Sequence, residues 1–459
     1  MYRQSNYNRG GWRGGLRGFR TRQPEPEGSP APPLGARIET ITTGELSKSA
    51  DGLASCARVT NCSLVASYNW LDRAKPSILI PGAPARWTPL ADAVQLREDS
   101  GTYYRDKNAA RYPAHPLEPA VQAILAMHPE PLKEHVDIVA CGSTMGNLLR
   151  FVRGEDRPFR MLVEVVGDTV HLIRRENSPR ETIPGVKGYG HTFPEANTTW
   201  DTSVRGSASH QRILRYDFGG LCCVVRHEGD GFLRDKMGTL PSDSKRRADV
   251  QDESIEALTA RLDDNQMSQK APVRHSQLHI QSGGFEVPQS AVFDLKTRSC
   301  VRKGQDFLGQ ELPRMWVAQI PNFILAYHSR GIFNDVEVMD VSQKVKDWEK
   351  TMNRELSLLA ALLHRIIDLV RDSNNGRLEL NRQALAELEV RAQTPDLSPA
   401  FSAEVMAKWE SWLASAASED EDDTGNEKGG SVLSWSDGEG DEDYTACSKE
   451  CSYCGRCTY

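Results

Sequence analysis

Residues 221–230 read LCCVVRHEGD, an apolar run that ends in two acidic residues. A short apolar run of this kind is typical of a strand buried in the core of a sheet. Side chains alternate across a strand, so Glu228 and Asp230 are expected to lie on one face. The stretch therefore predicts a core strand that carries two carboxylates at its end.

A second apolar stretch, AVFDLK at residues 291–296, predicts another buried strand. Asp294 and Lys296 would share a face of this strand, and Leu295 would point into the core. Carboxylates that converge from two strands beside a lysine can hold a divalent metal over a phosphodiester bond. The two stretches together therefore predict the chemistry of a metal-dependent nuclease.

The predicted role of each side chain at this site follows from its chemistry. Asp230 and Asp294 are expected to bridge the metal, and Glu228 is expected to be an additional ligand. Lys296 is expected to position or deprotonate the attacking water. A ligand set made only of oxygen atoms favours Mg²⁺ or Mn²⁺. In the alternative interpretation, both acidic triplets are ordinary charges at the ends of strands.

Two segments of opposite charge flank the central part of the 459-residue chain, whose net charge is −7. Residues 1–23 carry six arginines and no acidic residue, whereas residues 419–443 carry eleven acidic residues and one lysine. Neither segment has the composition to build a core. We therefore expect a disordered Arg/Gly-rich head and Pro-rich linker over residues 1–35, and a disordered acidic tail over 417–446.

The central residues, 36–416, predict one α/β domain with a mobile insertion at about 239–288. The expected architecture is a mixed, largely antiparallel sheet that is flanked by helices. Local patterns predict a hairpin over 161–174, a strand over 315–327, and helices over 116–127, 342–371, 379–392 and 401–415.

The head interleaves arginines with aromatic residues, a composition that suits RNA because arginine contacts phosphates and aromatic rings stack on unpaired bases. The candidate RNA-binding residues are Arg3, Arg9, Arg13, Arg17, Arg20 and Arg22. Alternatively, the head only keeps the protein soluble. The acidic tail can bind a basic protein partner, although a charge run is more often simply solvated.

The last residues, 447–459, contain four cysteines with the spacing C-x3-C-x2-C-x2-C. Four thiolates so close together can hold one Zn²⁺. The candidate zinc ligands are Cys447, Cys451, Cys454 and Cys457. An iron–sulfur cluster and free or disulfide-linked thiols are the alternatives.

Membrane insertion and secretion are not expected, because the sequence has no apolar run of about 18 residues and no secretory signal. Several of the other cysteines lie in apolar runs, which favours reduced thiols and a nuclear or cytoplasmic location. The expected partners are therefore RNA and, through the acidic tail, a basic protein.

The order of several motifs resembles the DXO-type decapping and exonuclease family within the PD-(D/E)-x-K nuclease superfamily. The motifs are Glu228-Gly229-Asp230, Asp294-Leu295-Lys296, Trp316-Val317-Ala318-Gln319 and the apolar residues 320–326. The resemblance implies a PD-(D/E)-x-K fold, metal-dependent hydrolysis of RNA phosphodiester bonds at 5′ ends, and a catalytic role for Gln319.

Two positions depart from the pattern of this family. Its first motif centres on an arginine, where this sequence has Gly142, and its second ends in a glutamate, where this sequence has Gly219. The first change removes a phosphate clamp, and the second removes part of the metal-binding charge. The alternative hypothesis is therefore a catalytically weakened or inactive protein that keeps the fold and binds RNA as a scaffold.

The whole chain also resembles a group of fungal proteins that share its NWLDR, NAAR and Cys-rich segments and are often labelled geranylgeranyl pyrophosphate synthases. Prenyl synthases need two D-D-x-x-D motifs to bind diphosphate through Mg²⁺. The segments that begin at Asp263 and Asp422 both lack the last aspartate. Prenyl transfer is therefore the least supported of the three functions.

Overall fold

The computed structural model describes residues 29–100, 103–131, 135–183, 186–238, 277–383 and 387–419. Most of the predicted head, the acidic tail after residue 419 and the Cys-rich end lie outside these ranges. Of the insertion predicted at 239–288, residues 239–276 also lie outside them. Residues 277–288 are described, and they contribute a strand to the larger sheet.

The described residues form strands and helices that are numbered here in chain order. The strands are β1 (Arg37–Ile41), β2 (Thr60–Leu71), β3 (Ser77–Gly82), β4 (Arg86–Trp87), β5 (Tyr103–Tyr104), β6 (Ile138–Cys141), β7 (Phe159–Val166), β8 (Thr169–Arg175), β9 (Thr182–Ile183), β10 (Thr198–Thr199), β11 (Ser207–Phe218), β12 (Leu221–Gly229), β13 (Gly231–Phe232), β14 (His279–Gly284), β15 (Val292–Ser299), β16 (Asn322–Ser329), β17 (Ile332–Asp340), β18 (Arg377–Arg382) and β19 (Leu388–Ala392). The helices are α1 (Thr43–Leu53), α2 (Lys107–Arg111), α3 (Glu118–Met127), α4 (Gly142–Val152), α5 (Thr192–Asn197), α6 (Phe307–Ala318), α7 (Ser342–Thr351), α8 (Asn353–Arg371) and α9 (Ala403–Glu419).

Two large sheets and one small sheet organise these elements. The larger sheet has the order β1-β19-β18-β7-β8-β6-β12-β11-β2-β3-β14, and the second has the order β10-β4-β13-β15-β16-β17. Strands β5 and β9 pair separately. Most neighbours are antiparallel, but β6 runs parallel to both β8 and β12, β14 runs parallel to β3, β13 runs parallel to β4, and β15 runs parallel to β16. The predicted mixed, largely antiparallel sheet flanked by helices is confirmed for the described residues.

Apolar clusters lie on both faces of the larger sheet. Helices α1, α4, α6 and α8 supply side chains to one cluster, and α3 and α9 supply them to the other. Trp316 of α6 and Trp409 of α9 are among the largest fully buried side chains. No helix of the described residues is both long enough and apolar enough to cross a bilayer.

Several predicted elements are confirmed, and others are wrong for identifiable reasons. The hairpin over 161–174 corresponds to β7 and β8, and the helix over 116–127 corresponds to α3. The helix predicted over 379–392 is instead a pair of antiparallel strands, β18 and β19. The helix predicted over 342–371 is two helices separated at Met352.

The segment that was predicted as one strand over 315–327 begins as the end of a helix and continues as a strand. Residues up to Ala318 belong to α6, which begins at a cap where the Asp306 side chain accepts a hydrogen bond from the Gly309 backbone N–H. The strand β16 begins only at Asn322. An apolar run around Trp316 suits either a buried helix or a buried strand, and the tertiary packing of α6 decides between them.

The chain crosses from the larger sheet to the second sheet at a single residue. Strand β12 ends at Gly229, and β13 begins at Gly231, where it pairs with β15 of the second sheet. Asp230 lies between the two strands. The predicted core strand therefore ends where the two sheets meet.

Candidate active site

A cavity of about 750 Å³ opens beside this junction. Its wall is rich in cationic side chains, and it also contains the carboxylates of Glu228 and Asp230. The cationic residues on this wall include Lys107, Arg174, Arg226, Lys296, Arg298 and Arg314. A concave site with several cations suits a polyanionic ligand better than an apolar one.

The structure brings Asp230 and Asp294 together. Gly231 pairs with Phe293 in antiparallel register, and the backbone N–H of Leu295 donates a hydrogen bond of 2.8 Å to Oδ2 of Asp230. The two carboxyl groups are close enough that the negative charge of Asp294 raises the pKa of Asp230. Asp294 is only 1% exposed. The predicted convergence of two acidic strand ends is therefore present.

Lys296 follows Asp294 on the same face of β15 and is nearly buried. Its Nζ lies 3.8 Å from Oε1 of Glu311, a fully buried carboxylate on α6. Glu311 also accepts from Nε of Arg314 at 3.0 Å and lies 3.6 Å from Nη2 of Arg298. The carboxylate of Glu311 is thus surrounded by three cationic side chains.

Arg314 also contacts the carboxyl pair. Its Nη2 forms an ion pair with Oδ2 of Asp294. Burial alone would raise the pKa of Asp294, but the charges of Arg314 and Lys296 outweigh it and lower that pKa. Glu311 and Arg314 were not predicted from the sequence, because no helix was expected over residues 307–318, the segment that forms α6. A helix over this segment would have placed positions 311 and 314 on one face, since they are three residues apart.

The two carboxyl groups of the pair differ in pKa. Desolvation of the carboxyl group, and then the negative charge of Asp294, raises the pKa of Asp230 to about 8, although the residue as a whole is exposed. Between the ordinary value of 3.8 and about 8, the native cation-free protein holds a proton that the unfolded chain has lost. The resulting contribution to stability is complete below pH 3.8 and disappears as the pH rises through about 8.

We expect the free energy of unfolding, measured by urea in the presence of a chelator, to fall between about pH 5 and pH 8. Asp230→Asn should flatten this dependence, because the amide does not titrate. The control is Asp347→Asn, which removes a carboxylate that is 57% exposed on α7. Identical pH profiles for Asp230→Asn and the wild-type protein would contradict the assignment of the proton.

Glu228 lines the same cavity but does not join the carboxyl pair. Its Oε1 accepts from Nζ of Lys107 at 3.0 Å, and its Oε2 accepts from Gln211 at 3.4 Å. The charge of Glu228 in turn raises the pKa of Lys107. The structure therefore places Glu228 in an ion pair instead of the third ligand position that the sequence predicts.

The donor set fits a hard divalent cation in part. Asp230 and Asp294 offer two adjacent carboxyl groups, and carboxylate oxygens are ligands that hard divalent cations prefer. No group of three or more His, Cys, Asp or Glu side chains arranged to hold a metal occurs within the described ranges. The fit therefore rests on two carboxylates.

Gln319 lies at the C-terminal cap of α6 with left-handed backbone angles. Its side chain donates to the Trp316 carbonyl, and its own carbonyl accepts from the side chain of Gln289 at 3.0 Å. It is not among the residues that line the cavity. The structure thus gives Gln319 a capping role and does not bring it to the carboxyl pair.

Gly142 does lie on the cavity wall, as the first residue of α4. The arginine that the family resemblance implies here is absent, but Arg226 is beside it. Arg226 is level with Cys141 in the parallel pairing of β12 with β6, and it also lines the cavity. A neighbouring strand therefore supplies a cation next to the position of Gly142.

Gly219 lies at the opposite end of the β11–β12 hairpin from the carboxyl pair. Phe218 pairs with Leu221 at the turn, whereas His210 pairs with Gly229 near the cavity. Eight residues of strand separate these pairs, or roughly 26 Å at about 3.3 Å per residue. The loss of a metal-binding carboxylate inferred at Gly219 is therefore wrong, because a side chain at this position cannot reach the site.

We expect Gly219→Glu to destabilise the fold without raising any activity. Gly219 has a φ of +62°, and a Cβ there would lie 2.5 Å from Cβ of Ala360. Strain and overlap together should cost about 2 kcal/mol or more in urea unfolding. Gly220→Glu is the matched control, because Gly220 has a φ of +81° but open space around its Cβ. Equal destabilisation by both changes would show that the contact with Ala360 does not matter.

Aromatic rings on the cavity wall were not predicted from sequence. Tyr103 and His191 are stacked, with centroids 3.9 Å apart and planes inclined by 3°. Tyr189 contacts His328 edge to face at 4.5 Å. All four residues line the cavity. Nucleobases can stack on partly exposed aromatic rings of this kind.

The candidate residues at the two ends of the chain are not tested by the structure. The six arginines of the head and the four cysteines of the tail lie outside the described residues. Asp263 and Asp422, which were considered for prenyl transfer, also lie outside them.

Solved structures of Rai1 proteins are similar to this chain. Scheffersomyces stipitis Rai1 in complex with (3′-NADP)⁺ and calcium has 11% sequence identity and a TM-score of 0.51, and the match covers 83% of this chain and 99% of that chain. Candida albicans Rai1 in complex with pU5-Mn²⁺ has 10% identity and a TM-score of 0.46, covering 84% and 100%. S. pombe Rai1 in complex with 3′-FADP has 11% identity and a TM-score of 0.46, covering 73% and 95%.

The match with S. stipitis Rai1 confirms the predicted likeness at the level of the fold. No curated protein matches the sequence of this chain. The family described as Domain of unknown function (DUF8563) matches residues 38–391. Because this match spans more than half of the chain, the protein belongs to the DUF8563 family and has the fold of Rai1.

Proposed function

We propose that this protein is a divalent-cation-dependent hydrolase of RNA phosphodiester bonds that acts at the 5′ end of its substrate. One observation carries the proposal. The carboxyl groups of Asp230 and Asp294 meet at the junction of two sheets, with Lys296 on the same strand, beside a cavity whose wall is rich in cations.

Asp230 and Asp294 would hold the cation, which is expected to be Mg²⁺ or Mn²⁺. When bound, such a cation activates water and neutralises charge on the phosphoryl group. Lys296, which Glu311 keeps in place, orients the attacking water. Arg298 and Arg302 on the cavity wall attract the phosphates, and the Tyr103–His191 stack offers a surface for a base.

The bound groups of the neighbour with the same fold support this choice of substrate class. S. stipitis Rai1 was solved with (3′-NADP)⁺ and a calcium ion, a phosphorylated dinucleotide and a divalent cation. The cavity described here has suitable chemistry for both, because it combines cationic side chains with a carboxyl pair.

The test is cleavage of RNA that carries a 5′-triphosphate or a cap, in the presence of Mn²⁺. The wild-type protein should shorten or decap the RNA, and Asp294→Ala should not. Equal product from both proteins would show that a contaminating nuclease, and not this site, is responsible. Internally labelled RNA would also distinguish release of the 5′ end from internal cleavage.

A second candidate function is RNA binding without catalysis. Two observations favour it: Asp294 is already paired with Arg314, and Glu228 is paired with Lys107. Under this alternative, the wild-type protein would retain capped RNA in a binding assay but would leave it intact at every Mn²⁺ concentration. Cleavage that depends on Asp294 would exclude it.

We propose three further roles for the ends of the chain, and a nuclear or cytoplasmic location for the protein. The arginines of the head would hold RNA near the cavity, and the acidic tail would bind a basic protein partner. Cys447, Cys451, Cys454 and Cys457 would hold Zn²⁺. Deletion of residues 447–459 should remove about one equivalent of zinc per chain, measured by elemental analysis of purified protein. Unchanged zinc content would contradict this assignment.

A further inference from the structure

The side chain of Arg314 contacts one oxygen of a carboxylate that is proposed to hold the divalent cation. Its Nη2 is paired with Oδ2 of Asp294, and its Nε donates to Oε2 of Glu311 at 3.0 Å. The side chain is 14% exposed, and Arg314 lines the cavity. Arg314 is therefore the cation that neutralises Asp294 in the structure.

We infer that Arg314 and the divalent cation compete for Asp294, so that Arg314 must leave this carboxylate before the cation binds. The inference rests on the proposed metal-binding role of Asp230 and Asp294. A cation at about 2.0–2.6 Å from a carboxylate oxygen would lie within roughly 5 Å of a guanidinium on the same group. Repulsion between the two positive charges in a buried site prevents both from occupying it.

Glu311 provides a second partner for Arg314 in the displaced state. Glu311 and Arg314 are three residues apart on α6, a spacing that keeps the two side chains adjacent along a helix. Arg314 can thus release Asp294 while its Nε remains on Glu311. Its freed Nη2 would still face the cavity, where a substrate phosphate could accept from it.

This arrangement makes binding of the cation and binding of RNA mutually supportive. A phosphate in the cavity draws Arg314 away from Asp294, and the vacated carboxylate then accepts the cation. By linkage, the cation must favour RNA by the same factor. In the absence of RNA, Arg314 keeps the affinity for the cation low.

The experiment measures Mn²⁺ binding to the full chain without RNA by titration calorimetry. Arg314→Gln should bind Mn²⁺ at least about tenfold more tightly than the wild-type protein, a factor within the usual range for coupled sites. Lys350→Gln is the control, because it removes a cation that is 73% exposed on α7 and does not line the cavity. Its effect should stay below about threefold, since exposed charges are screened by salt.

The outcomes separate this inference from the proposed function. If Arg314→Gln binds Mn²⁺ no more tightly than the wild-type protein, while Asp294→Asn abolishes binding, the competition is refuted and the metal site stands. If neither the wild-type protein nor Arg314→Gln binds Mn²⁺, both proposals fall. Should Arg314→Gln not fold, Arg314→Met decides, because it also removes the charge: a higher affinity than wild type supports the competition, and an unchanged affinity refutes it.

Discussion

Asp294→Asn is expected to lower Mn²⁺-dependent cleavage of a 5′-triphosphate RNA by at least about 10³-fold, because a bound cation contributes several kcal/mol of charge stabilisation to the transition state. Asp294 is one of only two carboxylates in the pair, and its partner Asp230 holds a proton up to about pH 8. Without Asp294, the pair therefore keeps a single carboxyl group to hold the cation. The measurement is the single-turnover rate at saturating Mn²⁺.

Two controls make this result interpretable. Asp347→Asn removes an exposed carboxylate on α7 and should leave the rate unchanged. Asp294→Asn should itself lower the urea midpoint, because it neutralises one partner of a buried ion pair, so the rates are compared under conditions in which circular dichroism shows both proteins to be folded. A rate within about tenfold of wild type would place catalysis elsewhere in the protein.

The largest effect on stability is expected for Glu311→Gln, at about 3–5 kcal/mol lost from the free energy of unfolding. Glu311 is fully buried and lies within 3.8 Å of cationic nitrogen atoms of Lys296, Arg298 and Arg314. An amide keeps the shape of the carboxylate but removes the charge that offsets these cations. Breaking a buried ion pair by neutralising one partner leaves an uncompensated charge.

Urea unfolding at neutral pH measures this loss. The matched control is Glu404→Gln on α9, where the side chain is 70% exposed and pairs only with Lys408 across one turn. Exposed pairs of this type contribute little, so the control should unfold like the wild-type protein. Similar midpoints for Glu311→Gln and Glu404→Gln would mean that the buried cluster contributes no more than a surface pair.

The sequence was sufficient to predict the core of the site. Continuous apolar residues before Asp230 and around Asp294 identify buried strands, and the alternation of strand side chains places Lys296 beside Asp294. The pairing of β13 with β15, which brings the two aspartates together, could be expected only from the family resemblance. Local pattern does not show which strands become neighbours.

The partners of the site could not be predicted, for physical reasons that differ from residue to residue. Glu311 and Arg314 act through α6, and an apolar run is compatible with either helix or strand until its packing is known. Lys107 reaches Glu228 from a helix more than a hundred residues away. Gly219 was assigned to the site from the order of the motifs alone, but it lies in the turn of the β11–β12 hairpin, at the end far from the cavity.

Asp230 is the single residue between the two large sheets, so the position of its carboxyl group depends on how the sheets pack against each other. Gly231, the next residue, has so little room that a Cβ would come within 2.4 Å of the Phe293 ring. Any added bulk at this joint must push the second sheet outward and carry the carboxyl groups with it. Substitutions of apolar residues at this joint, such as Phe293, can thus change the distance between the two carboxyl groups without altering any polar side chain.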